Sequence, residues 1–415
     1  MKIVVFNLGC KVNKYESDSI ARALREKGHD VSCELERADL YILNTCAVTN
    51  EAERKSRQCV TRCLKLNPDA KVIVTGCASQ ANASQFENKK SVVFVSGVAG
   101  KSQIAEEIER SGTDVCPLPA VYEEMKTPSV ERTRAYVKVQ DGCDNFCSYC
   151  LIPYLRGRSR SRSEESVIAE CGELAKDTGE IVLTGIDLSS YGKNTGTDLA
   201  SLIGRLSDVD CRVRLGSLEQ GVIGEKLLDA TKSLKKFCPQ FHLSLQSGSD
   251  AVLKKMNRHY TTAEYLSKVE LIRKYYPQAN ITTDLICGFP TETDENFDET
   301  KEFLKTVGFG QVHVFGYSAR KGTVAAKYRL LSPETVAKRC EEGQEIATKL
   351  HEKYLGSMLG KELEVLFEEE QDGYVAGYSR EYVRVYAKGV RQSEIKNVVA
   401  TRLFRDGVEA TVTEE

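Results

Sequence analysis

The stretch Ala135-Tyr136-Val137-Lys138-Val139-Gln140-Asp141-Gly142-Cys143-Asp144-Asn145-Phe146-Cys147-Ser148-Tyr149-Cys150 decides the reading of this chain. Its first six residues carry the β-branched and aromatic side chains of a strand, and Asp141-Gly142 then breaks the pattern. Cys143, Cys147 and Cys150 follow with the spacing Cys-x3-Cys-x2-Cys. That spacing also fits one face of a helix, where the thiols would be packing residues. The turn residues before it, Asn145 within it and Pro153 after it favour a loop. Three thiolates on one short loop can converge on one metal centre. A structural zinc or an electron-transfer [4Fe-4S] cluster normally takes four protein ligands, so three leave one position open.

Outward from that loop, strand-like runs alternate with helical patterns. Six candidate strands lie at Ala135–Gln140, Glu180–Thr184, Cys211–Leu215, Phe241–Gln246, Ile281–Cys287 and Gln311–Tyr317. Helical stretches near Glu164–Lys176, Leu199–Leu206, Glu225–Leu234, Thr262–Tyr275 and Asp294–Val307 separate them. Six βα units predict a partial (βα)6 barrel whose working face is the C-terminal edge of the strands. A long helix, Pro333–Tyr354, leads out of it.

Towards the N-terminus, strands are expected at Lys2–Leu8, Asp39–Thr45 and Lys71–Gly76, with helices at Tyr15–Lys27 and Thr49–Leu66. This βαβαβ order predicts a parallel-sheet α/β domain. Cys10, Cys46 and Cys77 each fall just after one of these three strands. Strand ends of a parallel sheet share one edge, so these thiols are expected in one crevice, where open α/β sheets bind ligands. Three unrelated core cysteines are the alternative. Beyond residue 355, five short strands (Leu363–Phe367, Tyr374–Tyr378, Tyr382–Tyr386, Asn397–Phe404, Glu409–Thr413) predict a small β-barrel of oligonucleotide-binding type. The expected division is therefore 1–111 for the N-terminal domain, 112–133 for a proline-bearing linker, 134–354 for the barrel and 355–415 for the last domain.

Composition narrows the function classes. The 415 residues carry 58 Lys and Arg against 60 Asp and Glu, so no global field draws the chain to nucleic acid or acidic lipid. No apolar run is long enough to span a membrane, and the opening residues read as a strand, so a cytoplasmic protein is expected. Fifteen cysteines, an odd number, argue for reduced thiols with some of them metal ligands. Cys59 and Cys63, four apart on a helical pattern, are read as packing, as are Cys33, Cys116, Cys171, Cys211, Cys238, Cys287 and Cys340. Arg156, Arg158, Arg160 and Arg162 place four guanidinium groups in seven residues beside the cysteine loop. If extended, they share one side and form a candidate RNA-binding patch, against the alternative of a solvated charge run.

With these residues in view, the chain resembles the radical S-adenosylmethionine (SAM) enzymes, and within them the methylthiotransferase family. The resemblance rests on Cys143–Cys150 and on Ile152-Pro153-Tyr154-Leu155-Arg156-Gly157-Arg158-Ser159-Arg160-Ser161-Arg162. It extends to Asn7-Leu8-Gly9-Cys10-Lys11-Val12-Asn13, Leu245-Gln246-Ser247-Gly248-Ser249-Asp250 and Gly288-Phe289-Pro290-Thr291-Glu292-Thr293. The form Gly9-Cys10-Lys11-Val12-Asn13 is most similar to the subgroup acting on N6-threonylcarbamoyladenosine of tRNA. Gly316, Lys321 and Gln220-Gly221 depart from prolines common in the family, which touches local loop geometry.

The resemblance implies two [4Fe-4S] clusters and SAM as cofactors, with tRNA, an electron donor and a sulfur source as partners. It puts one cluster on Cys143, Cys147 and Cys150, where SAM is cleaved to a 5′-deoxyadenosyl radical able to attack the inert C2–H of adenine. It puts the other on Cys10, Cys46 and Cys77, carrying the sulfur that a first SAM methylates. Tyr149, Thr184, Gly185, Glu219, Ser244, Gln246, Arg258 and Asp284 become candidate SAM contacts, and the C-terminal segment resembles the TRAM domain. That segment counts 8 Lys and Arg against 12 Asp and Glu, so RNA binding there would be confined to a local face of Arg380, Arg384, Arg391 and Arg402 with Tyr378 and Tyr382. The competing readings are the same reaction on isopentenyladenosine of tRNA or on a ribosomal-protein aspartate. A non-enzymatic iron–sulfur carrier or redox sensor is the third.

Overall fold

A computed structural model describes residues 1–129 and 133–413. Residues 130–132 of the expected linker and 414–415 lie outside the described residues. The N-terminal unit is a six-stranded parallel sheet. The three expected strands, observed as Lys2–Asn7, Leu40–Thr45 and Lys71–Gly76, lie side by side at its centre. Asp30–Ser32 flanks them on one side, and Val92–Ser96 and Gly112–Asp114 on the other. Leu40–Thr45 is buried at every position, as a central parallel strand covered on both faces must be.

Two features depart from the sequence reading. The first helix starts at Lys11, with Cys10 as its N-cap, rather than near Tyr15. Polar Lys11, Asn13 and Lys14 hide the apolar stripe of its first turn, which buries Val12 and Tyr15. The sheet also reaches into the stretch expected as linker, because Gly112–Asp114 pairs with Phe94–Ser96. The segment that follows is tied down. Tyr122 Oη donates to the Lys138 carbonyl at 2.6 Å, and Glu123 accepts from the backbone of Gly100 and Ser102.

The central unit carries the six expected strands in sequence order. Arg134–Lys138, Glu180–Thr184 and Arg212–Leu215 form one parallel group, and Gln240–His242, Asn280–Cys287 and Gln311–Gly316 the other. Isolated bridges Val213–Phe237 and Leu218–Leu243 join the groups, giving one curved, open βα barrel. The fourth strand is shorter than expected because Leu243–Gln246 turns irregular, with Gln246 at φ +70°. The helix Pro333–Gly356 then leads to a closed five-stranded barrel: Glu362–Gln371, Tyr374–Ser379, Arg384–Ala387, Ile395–Phe404 and Gly407–Val412.

The small β-barrel and the N-terminal unit both pack against the central barrel. The small β-barrel sits on the N-terminal ends of the first three strands. Arg212 Nε reaches Glu364 at 2.8 Å, and Arg214 donates to the carbonyls of Ser379 and Arg380. The N-terminal unit leans on the opposite edge, where Asn50 Nδ2 donates to the Ala319 carbonyl at 3.0 Å and Arg320 pairs with Glu53 at 2.5 Å.

Candidate active site

All fifteen cysteines are free thiols. Two of the three loops in the N-terminal crevice are pressed together by their glycines. A Cβ added to Gly9 would lie 3.1 Å from Cys46 Cβ, so the Cys10 loop backs directly onto Cys46. Gly76 has φ +103°, and a Cβ there would lie 2.6–2.7 Å from the backbone and side-chain atoms of Thr45 and Asn44. Only glycine allows Cys77 to begin its helix at that point. Thr45 ties the ends: its hydroxyl donates to the Thr75 carbonyl at 2.6 Å and accepts from Ala78 N at 3.2 Å. The strand-end position of Cys10, Cys46 and Cys77 thus converts into a shared crevice, with Cys10 exposed to it and the other two buried.

On the central barrel, Cys143, Cys147 and Cys150 occupy the loop after the first strand. Backbone N–H groups of Asn145 and Ile152 point at Cys143 Sγ (3.5 Å) and Cys150 Sγ (3.4 Å). Each trio has one buried guanidinium on a sulfur. Arg156 Nε donates to Cys77 Sγ at 3.4 Å, and Arg258 Nη1 donates to Cys147 Sγ at 3.4 Å. Burial pushes the Cys46 thiol up to about 11 and the Cys150 thiol up to about 12. Arg156 ends the short helix Ile152–Arg156 that follows Cys150, so its bond to Cys77 ties the two trios, distant in sequence, to one boundary between units.

The separation of the sulfurs bears on what they can hold. Among the described residues, only His242, Asp284 and His313 place three potential ligand atoms all within 4.8 Å of one another. Thiolates on a single zinc, about 2.3 Å from the ion, lie about 3.8 Å apart. Among the described residues neither cysteine trio is that tight, which is looser than a single zinc ion requires. The buried charge has the matching sign. Lys101, Lys138, Arg156 and Arg160, all buried, pair among the described residues with only the buried carboxylates Glu16 and Asp141. That surplus of positive charge lies beside the crevice sulfurs through Arg156.

The same network corrects the expected RNA patch. Arg156 is fully buried, bonded to Glu16, Asp141 and Asn13. Arg160 donates to the carbonyls of Arg156 and Arg158, and Arg162 pairs with Glu170 at 2.6 Å and Glu124 at 2.8 Å. The run is not extended as expected: Arg156 closes the helix Ile152–Arg156, Gly157 turns at φ +79°, and Arg156, Arg160 and Arg162 are all buried in the interior. Arg158 alone is exposed, stacked 4.6 Å over the ring of Phe146 and paired with Asp144. The basic face of the small β-barrel is likewise partly used up: Arg380 donates to the Phe237 carbonyl, Arg384 pairs with Glu369, and Arg402 with Glu409.

The candidate cofactor contacts separate into two cavities flanking the Cys143 loop. One, of about 460 Å³, is lined by Glu219 together with Asn145 and Asp187. Arg258 pairs with Glu219 at 2.6 Å and donates to the Ser244 carbonyl at 3.0 Å. The other, of about 260 Å³, holds Tyr149, Gln246 and Asp284 from the barrel and Val48 and Thr49 from the N-terminal unit. Thr184 is buried at its strand end, and Gly185 backs onto Gln140, leaving 2.8 Å for a Cβ. Asn145 and Asp187 were not anticipated. Asn145 Nδ2 bridges Asp187 (3.3 Å) and Glu219 (3.2 Å), and burial with Glu219 nearby raises the Asp187 carboxyl. The Thr184-Gly185-Ile186-Asp187 strand end was the available signal.

Residues 2–97 match the uncharacterised protein family UPF0004, and residues 137–304 match the radical SAM superfamily. The threonylcarbamoyladenosine tRNA methylthiotransferase MtaB of Thermotoga maritima is 38% identical, over 98% of this chain and 96% of its own. Its Bacillus subtilis namesake is 35% identical over 98% and 95%. A tRNA-2-methylthio-N(6)-dimethylallyladenosine synthase of Clostridium botulinum is 35% identical over 87% and 84%. Among solved structures, the radical SAM methyltransferase TsrM of Kitasatospora setae superposes with a TM-score of 0.57 at 15% identity, covering 76% of this chain and 74% of that one, a likeness of fold.

Proposed function

The chain belongs to the radical SAM methylthiotransferase family, and on that premise we propose that it replaces the C2 hydrogen of N6-threonylcarbamoyladenosine in tRNA by a methylthio group. The observation that carries the reading is the pair of cysteine trios, each with a buried guanidinium on one sulfur, tied by Arg156 to one boundary between units. We assign Cys143, Cys147 and Cys150 to one [4Fe-4S] cluster and Cys10, Cys46 and Cys77 to the other. When bound, the clusters and SAM supply one-electron chemistry strong enough for an unactivated C–H bond, together with the sulfur to be inserted.

The residues of the chain then have separable duties. Arg156 and Arg258 each donate a hydrogen bond to one ligand sulfur, Cys77 Sγ and Cys147 Sγ, and fix its position. Tyr149, Gln246, Asp284 and Glu219 line the cavities beside the cysteine loop and orient SAM there. Asn145 fixes Asp187 and Glu219 in a common geometry. The N-terminal unit, through Val48 and Thr49, covers one cavity and keeps bulk water from a reactive species. An electron donor and a sulfur source come from outside the chain. No described helix is long and apolar enough to cross a membrane, and a tRNA substrate supports a cytoplasmic setting.

The test is anaerobic reconstitution followed by incubation with SAM, a reductant and tRNA bearing N6-threonylcarbamoyladenosine. About eight irons per chain and a 2-methylthio nucleoside by mass spectrometry are expected. Only about four irons, or modification of an isopentenyladenosine tRNA or a ribosomal protein in place of this substrate, would overturn the reading.

A further inference from the structure

A third cavity, of about 420 Å³, lies inside the central barrel where all three units meet. Its wall is built from alternate residues of the barrel strands, the ones that period-2 geometry turns inward. Tyr378 and Tyr382 of the small β-barrel close one side, stacked with ring centroids 4.5 Å apart. Lys11 of the N-terminal unit enters from the other. Charged side chains on the wall are Lys11, Arg134 and Arg214 against Asp284 alone.

The two arginines are already committed. Arg214 pairs with Glu180 at 2.7 Å, and Arg134 pairs with Glu368 at 2.6 Å. Asp284 faces His242, whose Nε2 is 3.3 Å away. Lys11 has no hydrogen-bond or ion-pair partner among the described residues, although its charge acts on His313 and feels Arg214, Arg134, Glu180 and Asp284. Lys11, exposed as a residue, lines this cavity with spare donors beside Arg134 and Arg214, and such a concentration of positive charge favours an anion that arrives from outside. The same cations argue against a metal ion on His242, Asp284 and His313, since a divalent ion there would face Lys11.

We propose that Lys11 reads the carboxylate of the threonyl group of the substrate nucleoside, making it a specificity-determining residue. The inference rests on the substrate reading given above. Asp284 lines both this cavity and the Tyr149–Gln246 cavity where SAM is placed, so the two adjoin, and a nucleoside held at their boundary can extend its N6 substituent into the barrel toward Lys11. An isopentenyl substituent has nothing to offer Lys11. A threonylcarbamoyl group ends in a carboxylate.

The experiment compares two anticodon stem-loop RNAs of identical sequence, one with N6-threonylcarbamoyladenosine and one with its threoninamide analogue, on the reconstituted enzyme. Kd is read by fluorescence anisotropy, and KM and kcat by nucleoside analysis. The wild type is expected to prefer the carboxylate RNA in Kd and KM by about 10–100-fold, the range for a charged hydrogen bond. Lys11→Gln removes the preference and Lys11→Arg keeps most of it, with iron content checked to show that the clusters load. Equal handling of the two RNAs by the wild type overturns the assignment without any variant, as does a Lys11→Gln enzyme that still discriminates. If the wild type makes no 2-methylthio product from the carboxylate RNA, the functional reading fails first and takes this one with it.

Discussion

Glu16→Gln is the sharpest single perturbation of the scaffold. Glu16 is buried, and its carboxylate serves Lys101, Lys138 and Arg156 together. Lys138 and Arg156 also have Asp141, at 2.7 and 3.1 Å. Among the described residues Lys101 has no second carboxylate; its other bond is to Asn44 Oδ1 at 3.0 Å. The substitution therefore leaves one buried ammonium without a counter-charge, a loss worth about 3–5 kcal/mol. At about 2–4 °C per kcal/mol for domains of a few hundred residues, Tm should fall by about 6–20 °C in calorimetry of the reconstituted protein near neutral pH. Adding Lys101→Met removes the orphan and should recover much of the loss.

The pH dependence has a definite sign. The Lys101, Lys138 and Arg156 charges hold the Glu16 carboxyl well below its ordinary range in the fold. A depressed carboxyl contributes stability that is present above its unfolded value, about 4.3, and is lost as pH falls through the folded value. The gap between wild type and Glu16→Gln should thus narrow in acid. A neutral-pH shift below about 2 °C, or a gap that widens in acid, would refute the charge-hub account.

Other outcomes follow from the same geometry. Arg258→Met leaves Glu219 and Cys147 without their shared donor and should lower SAM affinity by about tenfold or more, measured by equilibrium dialysis of the loaded enzyme. Gly76→Ala forces a Cβ within 2.7 Å of Thr45 and Asn44, so Cys77 shifts and iron content should drop from about eight towards about four per chain. Because burial holds Cys46 at about 11 and Cys150 at about 12, loading iron must expel protons; uptake at fixed iron should therefore rise between pH 6.5 and 8.5 and stay flat if the thiols are already ionised. Arg158→Ala, the exposed member of its run, should weaken tRNA binding and flatten its salt dependence by about one charge while leaving Tm within about 2 °C; an unchanged salt slope would remove it from the RNA surface.

Much of this was legible in the sequence because periodicity and punctuation are local. The alternation of strand and helix yielded the six barrel strands, and turn glycines marked the five strands of the small barrel. That Cys10, Cys46 and Cys77 fall at strand ends on one edge was legible for a topological reason, since neighbouring parallel strands end on the same side. What failed was anything depending on what packs against a residue. Arg156, Arg160 and Arg162 look like a solvent-facing run until Glu16, Glu170 and Asp141 are brought against them from elsewhere in the chain. Lys11 and His313 share a cavity wall across some 300 residues, a separation no local pattern can bridge.

The helix Lys11–Glu26 concentrates several duties in its first two turns. Cys10 caps it, Lys11 enters the barrel cavity, Asn13 meets Arg156, and Glu16 anchors the charge hub. Such a rod behaves as an alignment jig. On the assignments proposed above, a tilt of a few degrees would displace the cluster ligand, the proposed substrate reader and the electrostatic anchor together, so damage here should silence the molecule and not merely loosen its fidelity.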